Sequence, residues 1–401
     1  MIIVFGRVAF LVGLAILWPA VGLLGADVTG FGAKGDGITN DTEAFKKAFA
    51  SGEKDIYVPP GTYLIGPESM TLAKATYLHG AGRASVLKVA EGTEQLLLLD
   101  ANVRLERLHF DGAGAKSGDI SDPLISLGAA GWPQDPPDNI TIDSLSFLNC
   151  DRTCLRTDHN NHVVISNCDF RKVGAAICLD FSRHVKVINN TIVDARVHGI
   201  QFWGNANWKR RESENLIFAN NYVKNGGSGP IWGTGATRVV MIGNIVDGAN
   251  DIGLDLEWCG DSVITGNTVR NAHEAGIALF YACDNVSISG NTVINDMEIT
   301  ESEAERSWWV RSGIWLTYPN RDVFKNDRGH RNITITGNTL HCADGPRRAI
   351  WIGSESHDVV VSNNTGHRAG FWFGGAHKQP MSLVQFDDGS WIRDGKIFEK
   401  Q

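Results

Sequence analysis

Beyond residue 24 the chain contains no apolar run long enough to cross a bilayer as a helix. Nor does it carry an excess of positive charge. Its 37 Lys and Arg face 45 Asp and Glu, for a net charge of −8. That balance argues against nucleic acid as the main partner. It also disfavours a strongly anionic polymer, although a local basic patch can act against the net charge. The Cys and His residues fall into no zinc spacing. Seven cysteines is an odd number, so at least one thiol is free whatever disulfides form.

What the chain does have is a phrase that returns about every 23 residues: ISNCDF, INNTIV, ANNYVK, IGNIVD, ITGNTV, ISGNTV, ITGNTL and VSNNTG. Its second Asn, or equivalent, is Asn167, Asn190, Asn221, Asn244, Asn267, Asn291, Asn338 and Asn364, with gaps of 23, 31, 23, 23, 24, 47 and 26. Between phrases the runs are short, β-branched and alternating, and Gly and Asn punctuate them. A coil of this length with two or three strands and no helix is one rung of a parallel β-helix. Equivalent strands of successive rungs then lie about 4.8 Å apart. The recurring Asn reads as an internal ladder whose amides bond one another and the backbone at the bend. The alternative is N-glycosylation, since Asn189-Asn190-Thr191, Asn285-Val286-Ser287 and Asn332-Ile333-Thr334 match the acceptor pattern. The ladder explains the repeat and the acceptor pattern does not.

A solenoid grows by adding rungs, so 401 residues predict one long domain. Arg7, the apolar stretch Val8 to Leu24 and Gly25-Ala26-Asp27 predict a secretory signal peptide over residues 1–26. Trp18-Pro19 interrupts the stretch and disfavours a retained anchor. The expected location is therefore secreted, extracellular or periplasmic, with no membrane contact after cleavage. Cys259 and Cys283 precede matched residues of neighbouring phrases by the same five positions, which allows a disulfide or a simple stack. Cys150 with Cys154 or Cys168 is a weaker pairing.

After the signal come DVTGFGAKGDGITNDTEAF and IYVPPGTYLI. Asn40 and Glu43 have capping-box spacing, and Ala44, Phe45, Ala48 and Phe49 form one apolar helical stripe. A short helix there would close the open end of a β-helix, which otherwise exposes unpaired backbone. These two words resemble the start of the pectate-lyase-like superfamily, which includes rhamnogalacturonases, polygalacturonases and phage tailspikes. The specific resemblance covers residues 27–110, and residues 139–365 are similar to the repeat shared by polysaccharide lyases, hydrolases and C5-epimerases. The resemblance implies an all-β, single-stranded right-handed parallel β-helix (solenoid) with an N-terminal helical cap, and a carbohydrate substrate. It does not fix the reaction. The polygalacturonase set NTD, DD, GHG and RIK is absent in order. The epimerase word DPHE is absent too, although Arg156-Thr157-Asp158-His159 stands at a similar point. The expected organisation is signal peptide 1–26, cap and first rungs 27–110, repeats 111–365 and C-terminal cap or tail 366–401. Trimers are common among such proteins, so a monomer and a homotrimer both remain open.

The third strand of each rung aligns on Leu155/Thr157, Ile177/Leu179, Ile200/Phe202, Leu254/Leu256, Ile277/Leu279, Ile314/Leu316 and Ile350/Ile352. Alternation turns these inward and their neighbours outward. One outward column is Arg156, Cys178, Gln201, Trp232, Asp255, Ala278, Trp315 and Trp351. The next is Asp158, Asp180, Trp203, Thr234, Glu257, Phe280 and Thr317. The segment Pro230–Gly233 aligns least securely. Carboxylates interleaved with aromatic rings suit a sugar-binding groove, the rings taking the apolar faces of sugars. The bland alternative is that long loops cover some of these Trp residues.

Asp255 and Glu257, two apart on one strand, place their Cα atoms about 6.6–6.8 Å apart. An inverting glycosidase needs carboxyls about 6.5–9.5 Å apart. Trp258 beside them would desolvate one carboxyl. Solvated surface acids and a Ca2+ site are the alternatives. Asp158 and Asp180, on successive rungs with Arg156 and His159 beside them, form a second set. They suit a lyase or epimerase, which abstracts a proton next to an acid group. Structural pairing with Arg156 is the alternative. The two sets lie three rungs apart, roughly 14 Å, so at most one is the catalytic centre. His198 and His273 precede outward strands.

Insertions at 112–138, 204–214 and 296–331 would wall the groove. The second carries Trp208 and Lys209-Arg210-Arg211, able to grip carboxylate or sulfate or to serve merely as a solvated loop. Phe371-Trp372-Phe373 would help close the C-terminal end. Together these features predict a secreted enzyme cleaving an extracellular polysaccharide without a cofactor, as a glycoside hydrolase using Asp255 and Glu257. The candidate substrate-binding residues are His198, Gln201, Trp203, Lys209, Arg210, Trp232, Phe280, Trp315 and Trp351. A lyase or C5-epimerase on a uronic-acid polymer, and a non-catalytic glycan-binding surface protein, are the alternatives.

Overall fold

The computed structural model describes residues 25–128, 137–295, 312–317, 319–322, 324–342, 348–353, 356–367, 370–373, 384–385, 391–393 and 396–398. The expected signal segment thus falls, except for residues 25 and 26, outside the described residues. So do Trp132-Pro133, Pro136, Trp308-Trp309, Tyr318 and much of 366–401. Of Phe371-Trp372-Phe373 only the strand Gly370–Phe373 is described.

The chain winds as a parallel β-helix. One rung consists of the strands Gly260–Thr265, Thr268–Ala272 and Ala275–Phe280, and Asp284–Ser289 opens the next. Each strand pairs in parallel with its counterpart a rung away: Ile264 with Ile288, Val269 with Val293, Ile277 with Ile314. The first strands of all rungs form a 13-stranded sheet in chain order. The second and third strands join into one 22-stranded assembly. They join because Ser146–Asp158, Asp169–Asp180 and Thr191–Trp203 run straight through the corner between them. A three-stranded antiparallel sheet, Val384–Gln385, Trp391–Arg393 and Lys396–Phe398, lies near the C-terminus.

Alternation decides what is inside. In Asp284–Ser289, Val286 and Ile288 are buried while Ser287 and Ser289 are not. In the second strands, Phe110, Phe147 and Phe170 stack at 4.9 and 5.0 Å. Ile192, Val223, Val246, Val269, Val293 and Leu340 continue that buried column.

The asparagine ladder exists, and its hydrogen bonds close. Asn190 Nδ2 donates to Asn221 Oδ1 at 3.0 Å. The chain continues through Asn244, Asn267, Asn291, Asn338 and Asn364 with links of 2.8–3.0 Å. The other Nδ2 hydrogen of Asn244 returns to the Phe218 carbonyl at 2.9 Å, and its Oδ1 also accepts the Asn221 backbone N–H at 3.0 Å. Asn167 is not part of it. Cys168 holds the ladder position, and its backbone N–H donates to Asn190 Oδ1 at 2.9 Å. Asn167 sits one residue earlier, at φ 56°, where other rungs place Asn189, Asn220, Gly243, Gly266, Gly290, Gly337 and Asn363. That bend is left-handed, so it admits Gly or Asn with little strain, and Asn recurs at two adjacent positions for two different reasons. The glycosylation acceptor Asn189 belongs to this exposed bend, and Asn285 and Asn332 are exposed left-handed second residues of first strands, so none is a ladder residue.

At the N-terminal end the helix Thr42–Ala50 buries Ala44, Phe45, Ala48 and Phe49, with Phe45 edge-on to Tyr63 at 5.5 Å. The expected capping box does not form. Asn40 belongs to the strand Asp36–Asn40 and donates to the Gly66 carbonyl at 2.7 Å. Asp41 is the N-cap, and its carboxylate binds the Lys34 and Gly35 N–H groups at 2.6 and 3.1 Å. Cys150, Cys154, Cys168, Cys178, Cys259 and Cys283 are buried and free, which removes the disulfides weighed among them. Cys259 and Cys283 lie on neighbouring rungs and donate to carbonyls instead, of Glu257 at 3.1 Å and Leu256 at 3.3 Å.

Candidate active site on the third-strand face

Strand register assembles the two outward columns residue by residue. Arg156 pairs with Cys178, Cys178 with Gln201, Gln201 with Trp232, Trp232 with Asp255 and Asp255 with Ala278. Ala278 then meets Trp315, and Trp315 meets Trp351. In the second column Asp158, Asp180, Trp203, Thr234, Glu257 and Phe280 follow one another. The face is covered rather than open along much of its length. Trp203 is 37% exposed, but Asp255 only 3%. Trp315 and Trp351 are buried, which corrects the expectation of an open aromatic groove there. Their rings stack at 5.0 Å, in a second apolar cluster with Ile252, Ala275, Ala278 and Phe280. Alternation places a side chain outside the sheet without saying what packs over it. Two indoles above small alanines form a core of their own.

Asp255 and Glu257 share the outward side of the strand Ile252–Glu257. Burial pushes the Asp255 carboxyl well above the usual carboxylate range, and the nearby charges of Glu257 and Asp251 push the same way. Its Oδ1 has no hydrogen-bond partner. Burial raises Glu257 to about 7, against the indole Nε1 of Trp232, which donates to Glu257 Oε1 at 3.1 Å and favours the ionised form. Trp232 is held by His198, whose ring stacks on it at 5.1 Å. Burial lowers His198 to about 4, and its Nδ1 accepts the Gly229 N–H at 3.2 Å, so this imidazole is neutral near pH 7. Gln201 Oε1 and Thr234 Oγ1, on the adjoining rungs, are buried without partners as well. Trp258, expected to desolvate a carboxyl, is itself buried at a left-handed corner and stacks on Tyr281 at 5.3 Å. Asp251 was not anticipated as a contributor, because it lies in the irregular turn before the strand, where the repeat has no period.

The second set is differently built. Arg156 places Nε and Nη2 on Asp180 Oδ2 at 2.8 and 2.6 Å, and Nη1 on the Ser121 carbonyl at 3.1 Å. His159 Nδ1 meets Asp158 Oδ1 at 2.5 Å, and its ring stacks on Phe181 at 4.8 Å. Burial raises Asp180, and Arg156 opposes that rise. This is a mutually satisfied charge network beside a hollow of about 340 Å³ lined by Ser121, Asp122, Ser126 and Arg156. Breaking a buried pair strands the other charge. Arg156→Met is therefore expected to cost about 3 kcal/mol of stability, and Arg156→Met with Asp180→Leu to recover most of it. Denaturant titration of both variants measures this.

Residues 153–323 match the family described as right handed beta helix region. The preneck appendage protein of Bacillus phage PZA is 42% identical over 43% of this chain and 23% of its own length. Among solved structures, the A-module of the Azotobacter vinelandii mannuronan C-5 epimerase AlgE6 superposes with a TM-score of 0.67 at 18% identity, covering 89% of this chain and 98% of that one. The N-terminal fragment of bacteriophage phi29 gene product 12 gives 0.70 at 19% identity, covering 92% and 67%. The chain has the right-handed parallel β-helix fold. It spans less than half the length of the first curated relatives it matches, 23% of one and 48% of another.

In this β-helix protein the loops beside the face are clasped. Trp208 donates to the Asn326 carbonyl at 3.2 Å and lies under the Arg328 guanidinium at 3.7 Å. Of the basic triplet, Arg211 pairs with Asp284 at 2.7 Å and donates to the Trp258 carbonyl at 2.6 Å, so it holds the loop down. Arg210 pairs with Glu212, and Lys209 lies over the Trp208 ring at 5.2 Å. His273 meets Glu274 at 3.3 Å, one rung past Asp251. A hollow of about 980 Å³ follows the opposite corner, lined by Asp151, Lys172, Asp194, Arg196, Lys224 and Asp247 among others. Its carboxylates are engaged with Arg196, Asn225 and Asn271 at 2.7–2.9 Å. The chemistry is better sought where polar atoms lack partners. Among the described residues no three His, Cys, Asp or Glu side chains could together hold a metal ion, and no helix is long and apolar enough to cross a membrane.

Proposed function

We propose that this protein is an exported carbohydrate-active enzyme, a glycoside hydrolase whose acid and base are Asp255 and Glu257. One observation carries the reading: a buried and a partly buried carboxyl on the same side of one strand, both raised, the buried one with an oxygen left free. The deeper Asp255 keeps its proton and gives it to the glycosidic oxygen as that bond breaks. Glu257, favoured as a carboxylate by the Trp232 indole, takes a proton from the water that attacks the sugar carbon from the other side. The separation expected of positions two apart, about 6.6–6.8 Å between Cα atoms, suits inversion. No cofactor enters this chemistry. The helix Thr42–Ala50 is taken as the cap of the N-terminal end.

The runner-up, a lyase or epimerase at Arg156 and Asp180, is disfavoured because those charges satisfy each other. Glycan binding without cleavage is favoured by the depth of Asp255. The test is to incubate the protein with a panel of neutral and uronic-acid polysaccharides and read reducing ends and ultraviolet absorbance together. Reducing ends without absorbance are expected. Absorbance with reducing ends would move the chemistry to Arg156, Asp158 and His159, and neither signal would leave an epimerase, a sugar outside the panel or a binding protein.

A further inference from the structure

Three oxygens on the carboxylate-bearing face are buried without partners: Gln201 Oε1, Thr234 Oγ1 and Asp255 Oδ1. Their residues are 2%, 0% and 3% exposed. Register sets them on three consecutive rungs around Trp232. Leaving such an atom unpaired costs about 1–3 kcal/mol. A face that gathers three of them is short of hydrogen-bond donors, which sugar hydroxyls supply. Trp203 and Trp232 add ring surface for the apolar side of a sugar.

Charge narrows the ligand further. From Gln201 and Trp203 to Ala278 and Phe280 the outward columns hold no Lys or Arg. Arg156, two rungs before Gln201, is spent on Asp180 and the Ser121 carbonyl. In the neighbouring loop Arg210 and Arg211 are spent on Glu212 and Asp284, and Lys209 lies over the Trp208 ring. An entering anion would meet the Glu257 carboxylate with no counter-charge in these columns, and a buried unpaired charge is costly.

We propose that this face takes an uncharged, hydroxyl-rich sugar and rejects sugars bearing carboxylate, phosphate or sulfate. The inference rests on the site of the proposed hydrolase but concerns recognition, not cleavage. It is tested with the Asp255→Asn protein, which keeps the Glu257 carboxylate, by tryptophan fluorescence titration at pH 7 and fixed salt. The probes are neutral oligomers of glucose, xylose, galactose and rhamnose, set against oligogalacturonate, oligomannuronate and a sulfated galactan oligomer. At least one neutral oligomer is expected to bind tenfold or more tightly than every anionic one. The near-isosteric Thr234→Val and Gln201→Met should each weaken it about tenfold, the equivalent of one lost hydrogen bond. Unchanged melting would show that both variants fold. Anionic oligomers binding as well as neutral ones, no neutral oligomer binding, or both variants binding normally would each overturn the proposal. Neutral binding without cleavage by the unaltered protein would remove the hydrolase reading and leave this one. Cleavage confined to anionic polymers would do the reverse.

Discussion

Glu257→Gln and Asp255→Asn should each lower turnover of a polysaccharide the protein cleaves by about 10²–10⁴-fold, the span a positioned acid or base contributes. Neither substitution should unfold the protein, because each amide keeps the shape of the carboxyl it replaces. The pH profile should also move. Activity needs Glu257 ionised and Asp255 protonated, so its acid limb should lie near the Glu257 value of about 7, and its alkaline limb should follow loss of the Asp255 proton at higher pH. Stability supplies a second readout. A carboxyl raised from 4.5 to about 7 by folding costs nothing below pH 4.5, where both states are protonated. The cost grows as pH rises between the two values and is complete above about 7. Glu257→Gln removes that charge, so the variant should gain stability relative to the parent over this window and stay ahead above it. Full hydrolysis by both variants would end the assignment. A loss of activity accompanied by lower stability at pH 8 would instead mark Glu257 as structural.

Asn244→Ala should cost about 3 kcal/mol or more, with a visible fall in denaturant midpoint. The loss follows from what the side chain satisfies. Asn221 Nδ2 and backbone N–H lose their acceptor, and the Phe218 carbonyl and Asn267 Oδ1 lose their donor. All lie in a ladder that excludes water, where an unmade bond costs about 1–3 kcal/mol per group. Asn167→Ala is the control. Asn167 lies at the exposed end of the bend and donates to Asp143 Oδ1 at 2.6 Å, so its loss should cost about 1 kcal/mol for that bond and the left-handed φ. Equal effects from the two would mean that the ladder contributes no more than the bend.

Much of this β-helix was legible in the chain. The repeat period announced the rungs, and the apolar pairs from Leu155 to Ile350 set the third-strand register, including Trp232 between Gln201 and Asp255. Spacing alone does not separate the left-handed bend from the ladder position, since Asn suits both, and it places Asn167 in the ladder where the structure has Cys168. Capping failed for a related reason. Asn40 and Asp41 are both competent caps, and pairing of the Asp36–Asn40 strand decides between them.

The sequence by itself determined the architecture and which side of each strand a residue occupies, because both follow from local periodicity repeated rung after rung. Only the tertiary structure decided what lies over that side. It left Trp203 partly open, closed Trp315 and Trp351 into a second core, joined Arg156 to Asp180, and buried Asp255 with an oxygen unpaired. Packing over an outer face comes from irregular loops and turns, which carry no period, and a carboxyl's protonation follows from its burial, which no spacing in the chain encodes.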